Sequence, residues 1–150
     1  MKTFDTIADF QHELGNHLGY SDWYTVTQKQ VDLFADATGD HQWIHVDPEA
    51  AAKGPFGAPI AHGFLTLSLL PELANQVWAI NSLKMGINYG CNKVRFPSPV
   101  KVGDRVRASV VLSGFDTVAA GTQVTFTATI EIEGGTKPGC VAEWVLLLMD

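Results

Sequence analysis

Cysteine, basic runs and long apolar segments are all scarce in this chain of 150 residues. The two cysteines, Cys91 and Cys140, are too few for a disulfide-stapled scaffold, which favours a reducing, cytoplasmic location. The net charge of −6 and the lack of a basic run argue against nucleic acid as a partner. The longest uncharged apolar stretches, residues 64–71 and 144–149, are too short to span a bilayer, so we expect no membrane partner.

The first residues of the chain lack the unbroken apolar core of a signal peptide. Hydrophobic residues make up 46% of the sequence, which excludes a mainly disordered chain. The length suits one domain with a proper core, and repeats, linkers and low-complexity segments are absent. The sequence therefore predicts a single soluble domain over residues 1–150.

Helical patterns dominate the first half of the chain. Apolar spacing predicts a helix over residues 7–14, and aromatic and β-branched residues predict a strand over residues 20–26. Thr27 and Gln30 match a capping box, in which the Gln30 side chain reaches back to the cap, and Gly39 ends the helix that follows. We expect that helix to bury Val31, Phe34, Ala35 and Thr38.

Period-two patterns dominate the second half. Residues 85–96 are typical of a strand with a bulge at Gly90, and apolar residues alternate with polar ones over residues 105–112 and 123–132. Such alternation indicates antiparallel strands with one covered face. The last strand, residues 140–149, is apolar on both faces, so we expect it to be central or to lie at a subunit contact.

The groups best able to move protons are concentrated in residues 37–64, which include three histidines and four glycines. Asp40 and His45 lie five residues apart in this stretch. Residues 43–46 favour an extended path because they are aromatic or β-branched around His45.

A short helix is predicted to follow, over residues 48–53, with Asp47 as its N-cap and Pro48 at its first position. Asp40 and His45 would then lie on a rigidly bracketed loop, where catalytic side chains are common.

The other end of the same stretch leads into an apolar helix predicted over residues 63–78. Residues 64–70 carry no charge, so we expect this helix to be buried on all sides, with a kink or a break at Pro71. Gly63 has no side chain to obstruct an approach, so its N–H is suited to stabilise a developing negative charge. A sheet wrapped around this helix satisfies both halves of the sequence.

These residues resemble the hydratase motif of the MaoC-like family, the (R)-specific enoyl-CoA hydratases with an α+β hot-dog fold. The matching residues are Gly39-Asp40, Ile44-His45, Asp47-Pro48 and His62-Gly63, followed by Arg95-Phe96, Pro99-Val100 and Gly103-Asp104. The likeness extends from about residue 20 to the end of the chain. The chain is similar to the bacterial members with a single hot-dog domain, which include actinobacterial hydratases and a nodulation-protein subgroup.

The chain departs from the family motif at one place, where the usual Asn-Pro is replaced by Gln42-Trp43. Gln42 keeps an amide able to bond in the loop, whereas Trp43 removes the fixed turn and is expected to fill part of the pocket floor. Both are therefore candidate substrate-binding residues.

The resemblance implies that Asp40 and His45 jointly hold a water molecule and that the Gly63 N–H polarises a thioester carbonyl. This assignment is chemically reasonable because histidine titrates near neutral pH and a nearby carboxylate can orient it. The resemblance also implies an (R) product and a homodimer with the site near the dimer contact. It further implies that coenzyme A enters only as part of the substrate and that no other cofactor is needed.

Plainer roles compete at each position. Asp40 alone fits a turn residue after a helix, and His45 alone fits a partly buried structural histidine. For His62 a structural role before the helix is preferred to a third catalytic role. A metal held by these groups is disfavoured, since no zinc-like spacing is present and His41 would share a face with His45 only on a helix. The glycine-rich residues 54–63 lack the Gly-Lys-Ser/Thr of a phosphate loop.

Other residues are candidates for substrate contact. Lys93 and Arg95, with Lys101 and Arg105, could bind coenzyme A phosphates or remain solvated at strand edges. Asn88 and Tyr89 could line an acyl tunnel or merely continue the sheet.

We therefore predict reversible hydration of trans-2-enoyl-CoA to 3-hydroxyacyl-CoA. Two alternatives remain open, a dehydratase acting on acyl carrier protein and a non-catalytic acyl-CoA-binding module. A hot-dog thioesterase is a weaker alternative, because the loop that carries Asp40 and His45 does not predict it.

Overall fold

The computed structural model describes residues 1–150 as six short α-helices, one 3₁₀-helix and eight strands. The helices are α1 (Ile7–Phe10), a 3₁₀-helix (Gln11–Glu13), α2 (Gln28–Thr38), α3 (Trp43–Val46), α4 (Pro48–Ala52), α5 (Gly63–Ser68) and α6 (Leu70–Ala74). The strands are β1 (Lys2–Phe4), β2 (His17–Tyr20), β3 (Tyr24–Thr25), β4 (Trp78–Ile80), β5 (Met85–Arg95), β6 (Arg105–Val118), β7 (Gly121–Ile132) and β8 (Cys140–Met149).

The main sheet has the strand order β2-β6-β7-β8-β5, with β3 also pairing with β6. All of its pairs are antiparallel. The last strand, β8, lies between β7 and β5 as predicted for a central strand, whereas β5 forms a free edge. The predicted bulge in β5 is present as a register shift between Asn88 and Gly90.

One face of the sheet is buried because apolar residues alternate along each strand, as predicted. The inward residues of β6 and β7 are fully buried: Val106, Ala108, Val110, Leu112, Val124, Phe126, Ala128 and Ile130. They form a single core with Leu65 and Leu69 of the α5 segment and Leu73 of α6. Truncating a residue such as Leu73, which has no exposed surface, would cost about 2–5 kcal/mol of folding free energy.

The apolar helix is split, as predicted at Pro71, and it ends earlier than expected. Helix α5 ends at Ser68 and α6 begins at Leu70, because the proline has no N–H to continue the ladder. The expected end near residue 78 was wrong, since Trp78 already belongs to β4, a parallel partner of β1. The expectation of burial on all sides was also wrong, because Phe64 and Ser68 are exposed.

The extended path expected for residues 43–46 was wrong, because they form the helical turn α3. The Gln42 carbonyl oxygen accepts the N–H groups of His45 at 3.0 Å and Val46 at 3.4 Å, which closes the turn. The Gln28 side chain also donates to the His45 carbonyl oxygen at 2.8 Å. These contacts outweigh the weak strand propensity of the residues.

The N-terminal predictions were right in type and wrong in extent. The first helix stops at Phe10 and continues only as the 3₁₀-helix, and the strand expected over residues 20–26 is divided into β2 and β3. Thr27 does cap α2 by accepting the Gln30 N–H at 3.2 Å. The Gln30 side chain, however, donates to the Tyr24 hydroxyl instead of reaching back to the cap.

Helix α2 buries Val31 and Ala35 as expected, but Thr38 is exposed. The helix ends at Gly39, which adopts the left-handed conformation with φ +82°. Asp47 caps α4 by accepting the Ala50 N–H at 2.9 Å, as predicted.

None of the helices is long and apolar enough to cross a bilayer. Cys91 and Cys140 are both free thiols, with Cys140 buried. A cytoplasmic location remains a prediction.

Candidate active site

Asp40 lies on the surface directly after α2, where the left-handed Gly39 turns the chain away from the helix axis. The Gln42 N–H donates to one carboxylate oxygen of Asp40 at 3.3 Å. This contact orients the carboxylate over the following turn, α3, which carries His45. The predicted bracketed loop between two helices is therefore present, in a more helical form than expected.

His45 is buried, with 6% of its surface exposed, and its ring is fixed by a backbone contact. The Nδ1 atom lies 2.6 Å from the carbonyl oxygen of Ile60. Because a carbonyl oxygen only accepts, Nδ1 carries a hydrogen, and in the neutral ring this places the lone pair on Nε2. The imidazole is therefore held in the tautomer that a general base requires.

His62 is buried beside His45, with 3% of its surface exposed. The two rings stack with centroids 3.9 Å apart and planes inclined by 24°. His62 Nε2 lies 2.9 Å from the backbone carbonyl oxygen of Asp40, so Nε2 carries the hydrogen in this ring. The His62 Nδ1 atom is buried without a hydrogen-bond partner.

The two halves of the predicted site converge. A carboxylate oxygen of Asp40 and one ring nitrogen each of His45 and His62 all lie within 4.8 Å of one another. That spacing allows one water molecule to reach the carboxylate and an imidazole together. His41 stays outside the cluster because it pairs with Asp36 at 2.9 Å, a hydrogen bond that raises the pKa of His41 above its ordinary value.

The geometry of the cluster does not suit a metal ion. An imidazole binds a metal along a lone pair in its ring plane. The planes of His45 and His62 are nearly parallel and stacked, so their lone pairs cannot both point at one ion. The expectation of no metal remains a prediction, supported by this stacking.

Gly63, the first residue of α5, follows His62 directly. Its N–H has no acceptor within the protein. A Cβ at this position would lie 2.9 Å from two carbons of the Phe96 ring, so any larger residue requires that ring to move. Gly63 and Phe96 line a cavity of about 300 Å³.

This cavity adjoins the acid–base pair without including it. Ile60, whose carbonyl oxygen holds His45, lines the cavity, as do Ala61 and Gly63 on either side of His62. Asp40 and His45 themselves are not among the lining residues. The segment over residues 60–63 thus forms a shared wall between the cavity and the pair.

Asn88 and Tyr89 line a second cavity, of about 260 Å³, with Leu67 and Ser68 at the other end of α5. Gly63 and Leu67 are four residues apart, which corresponds to about 6 Å along a helix axis. The Asn88 Oδ1 atom accepts the Trp144 Nε1–H at 2.7 Å, which fixes the inner wall. A role for this cavity in acyl-chain binding remains a prediction.

The candidate phosphate ligands are spread along different strands. Lys93 and Arg95 are exposed on the edge strand β5, close in sequence to Phe96 over Gly63. Arg105 lies on β6, where it pairs with Glu133 at 3.1 Å. Lys93, Arg95 and the exposed Lys101 therefore remain candidates for the coenzyme, and Arg105 is engaged elsewhere.

Gln42 and Trp43 lie where the family motif has Asn-Pro. The Gln42 backbone supports Asp40 and α3, as described above. The Trp43 ring covers Gly54, where a Cβ would come within 2.9 Å of it. Trp43 does not line the cavity at Gly63, and its expected place in the pocket floor remains a prediction.

Three supporting groups were missed from the sequence. The Gln28 side chain binds the His45 carbonyl, the Ile60 carbonyl binds the His45 ring, and the Phe34 ring lies 4.8 Å from the His62 ring. Backbone carbonyls have no sequence signal, and Gln28 and Phe34 fit ordinary first-turn and core positions. Only contacts between distant segments distinguish them.

The chain is similar to known proteins over most of its length. Residues 9–134 match the MaoC-like domain family. Over 147 residues the chain is 57% identical to the 3-hydroxyacyl-thioester dehydratase Z of Mycobacterium tuberculosis, which covers 97% of each chain. It is 49% identical over 146 residues to nodulation protein N of Rhizobium leguminosarum bv. viciae, covering 95% of this chain and 91% of that protein.

Among solved structures, the (R)-hydratase from A. caviae involved in PHA biosynthesis superposes with a TM-score of 0.74 at 29% sequence identity. The superposition covers 91% of this chain and 96% of that one.

Proposed function

The chain belongs to the MaoC-like dehydratase family, and from that premise we propose that it catalyses the reversible hydration of trans-2-enoyl-CoA to (R)-3-hydroxyacyl-CoA. It is a hydratase/dehydratase with the hot-dog fold, as the sequence motif predicted. The observation that carries the finer proposal is the convergence of Asp40 and His45 within 4.8 Å. The (R) configuration is supported by the name of the similar A. caviae hydratase.

Water addition begins at Asp40 and His45. The His45 Nε2 lone pair and the Asp40 carboxylate hold one water and accept its proton as its oxygen bonds to C3 of the enoyl thioester. The electrons of the C2–C3 double bond move toward the thioester carbonyl, giving an enolate. A proton then returns from the pair to C2, which leaves the site in its starting state, and dehydration is the same path reversed.

The enolate oxygen needs a donor, and we assign that role to the Gly63 N–H. This N–H has no acceptor within the protein, and Gly63 lines the cavity of about 300 Å³. A backbone donor aimed at the developing charge typically contributes about 3–4 kcal/mol to the barrier reduction. The short segment from His62 to Gly63 would hold the carbonyl beside the water.

For the rest of the substrate we assign two regions. Asn88 and Tyr89, on the wall of the second cavity, would contact the acyl chain. Lys93 and Arg95, on the exposed strand that ends beside Phe96 of the Gly63 cavity wall, would contact the coenzyme A phosphates. No other cofactor takes part in the proposed reaction.

We further propose that the working form is a homodimer. Strand β5 is a free edge of eleven residues, and Met85, Ile87 and Tyr89 on it are exposed. A long unpaired apolar edge is a site for pairing with another chain, and a second copy satisfies both edges at once. Sedimentation velocity should give twice the monomer mass, and a monomer at micromolar concentration would contradict this assignment.

The reaction is tested by loss of absorbance at the conjugated thioester band, with crotonyl-CoA and longer enoyl-CoAs. We expect turnover by the wild type and losses of at least about 100-fold in kcat for Asp40→Asn and His45→Gln, because the general base is removed. His41→Gln is the matched control, since His41 neighbours Asp40 but pairs outward with Asp36. It should retain wild-type kcat.

The same assay separates the rival functions. Turnover only with a crotonyl-carrier protein would assign the dehydratase to acyl carrier protein. Acyl-CoA binding without turnover at any chain length would identify a binding module. Wild-type rates in both Asp40→Asn and His45→Gln would refute the proposed mechanism.

A further inference from the structure

One buried side chain touches every group to which the proposed function assigns chemistry. We propose that His62 is a positioning residue, which holds Asp40, His45 and Gly63 in one geometry through the hydrogen bond of its Nε2–H to the Asp40 carbonyl. The inference rests on the proposed function and adds to it a residue that touches no reacting atom.

The contact with Asp40 ties together two distant segments of the chain. Asp40 is exposed and follows the end of α2, whereas His62 is buried at the start of α5, 22 residues later. The His62 Nε2–H donates to the Asp40 carbonyl oxygen at 2.9 Å. This bond anchors the backbone of a carboxylate that would otherwise be held only by its own local turn.

The contact with His45 sets the plane of the base. The stacked rings are 3.9 Å apart, and the Phe34 ring lies 4.8 Å from His62. The bond from His45 Nδ1 to Ile60 fixes rotation of the ring in its plane, but the neighbouring ring is needed to fix its tilt. Together the two contacts aim the Nε2 lone pair of His45 in one direction.

The contact with Gly63 is covalent. His62 directly precedes Gly63, and its carbonyl oxygen accepts the Thr66 N–H at 3.1 Å, which closes the first turn of α5. A shift of the His62 ring therefore carries the backbone that presents the Gly63 N–H. The Gly63 N–H, the His45 ring and the Asp40 backbone are thus all connected through His62.

The unpartnered Nδ1 atom of His62 indicates that this position requires the other ring nitrogen, Nε2. It is buried without a partner, so it costs desolvation free energy that an apolar ring would avoid. A position that served ring packing alone would be better filled by phenylalanine. The polar requirement that remains is the Nε2–H donated to Asp40.

Two variants separate the donor from the ring. His62→Phe keeps an aromatic ring for stacking and loses the donor, and His62→Gln keeps an amide N–H at similar reach and loses the ring. We expect both to fold. His62→Phe should lower kcat by roughly 10–100-fold with KM within about threefold, because misplacement of a catalytic group acts mainly on the chemical step.

His62→Gln should recover part of that loss in kcat, because the donor to the Asp40 carbonyl returns while the ring stacked on His45 does not. A merely structural role would lower the stability of one variant or the other while leaving the kcat of the folded fraction unchanged. A His62→Phe enzyme within about threefold of the wild-type kcat would overturn the proposal, as would equal losses in both variants.

A second measurement does not depend on activity. Long-range ¹H–¹⁵N spectra of the wild-type protein should show opposite neutral tautomers, Nδ1–H for His45 and Nε2–H for His62. An Nδ1–H tautomer at His62 would overturn the proposal. If the wild type hydrated no enoyl thioester, the proposed function would fail while these spectra still tested the geometry; normal turnover with unaffected His62 variants would defeat this inference alone.

Discussion

Gly63 lies directly beneath the ring of Phe96, with no room between them for a methyl group. A Cβ on Gly63 would meet two ring carbons at 2.9 Å and a third at 3.1 Å. Phe96 is 41% exposed, so its ring can swing outward to make room. The wall of the cavity, and not the core, would therefore absorb the change.

From this contact we predict that Gly63→Ala lowers kcat/KM by at least about tenfold while changing the unfolding free energy by less than about 1 kcal/mol. In a Phe96→Ala background the same substitution should have a smaller effect on kcat/KM, because the clash is gone. The four proteins form a double-mutant cycle, measured with crotonyl-CoA and by urea unfolding. Additive effects would contradict the steric coupling.

The bond between Asn88 and Trp144 leads to a prediction about stability. Trp144 is 6% exposed, and its Nε1–H is satisfied by Asn88 Oδ1 at 2.7 Å. Asn88→Leu removes the acceptor at nearly constant shape, so the unfolding free energy should fall by about 1–3 kcal/mol. Asn88→Asp keeps an acceptor oxygen and should lose less when both are measured by urea unfolding at one protein concentration. Equal losses would assign the effect to the loss of the amide rather than of the acceptor.

Two glycines with positive φ separate backbone strain from steric conflict. At Gly39, with φ +82°, an added Cβ meets nothing within 4 Å, whereas at Gly121, with φ +143°, it collides with the Leu148 carbonyl oxygen. Gly39→Ala should therefore cost only the conformational penalty of about 1–2 kcal/mol. Gly121→Ala should cost clearly more in the same denaturant experiment, and Gly39→Asn less than Gly39→Ala. The reverse order would contradict this interpretation.

Cys140 should make stability fall at high pH. Burial, with a smaller contribution from Cys91, raises the pKa of its thiol to about 11 from an ordinary value of 9.0. Above pH 9 the thiol of the unfolded chain ionises first, so the stabilisation is complete below pH 9 and is lost as the pH rises toward 11. Unfolding free energies measured from pH 8 to 10.5 should fall less steeply for Cys140→Ala. Parallel curves would contradict the assignment.

Much of the fold was accessible from the sequence because local and long-range preferences agree there. The alternation along β6 and β7 specified a single buried face, and Pro71 broke the central helix where expected. The predicted secondary structure was wrong where tertiary contacts determine the conformation of the backbone. Residues 43–46 have a weak strand propensity, but bonds to the Gln42 carbonyl and from the Gln28 side chain hold them in a helical turn. Strand β1 has only three residues, and its parallel partner β4 is distant in sequence.

The sequence predicted which residues form the candidate site better than it predicted how those residues are arranged. The pairing of Asp40 with His45 follows from their spacing and the motif, and the structure brings the two together. The stack of His45 on His62 and the carbonyl contacts that choose their tautomers join segments that have no common sequence pattern. The roles of Gln42, Trp43, Asn88, Tyr89, Lys93 and Arg95 toward the substrate remain predictions.

The division of the apolar helix between α5 and α6 has a consequence for redesign. The segment that begins at Gly63 is only six residues long, and it is anchored before its start by the Ala61 N–H bound to the Val100 carbonyl oxygen at 2.8 Å. Because the proline removes one bond of the helical ladder, we expect α6 to move more freely relative to α5 than it would in an unbroken helix. We therefore expect that α6 can be resized while the Gly63 N–H, the proposed donor to the thioester carbonyl, keeps its place.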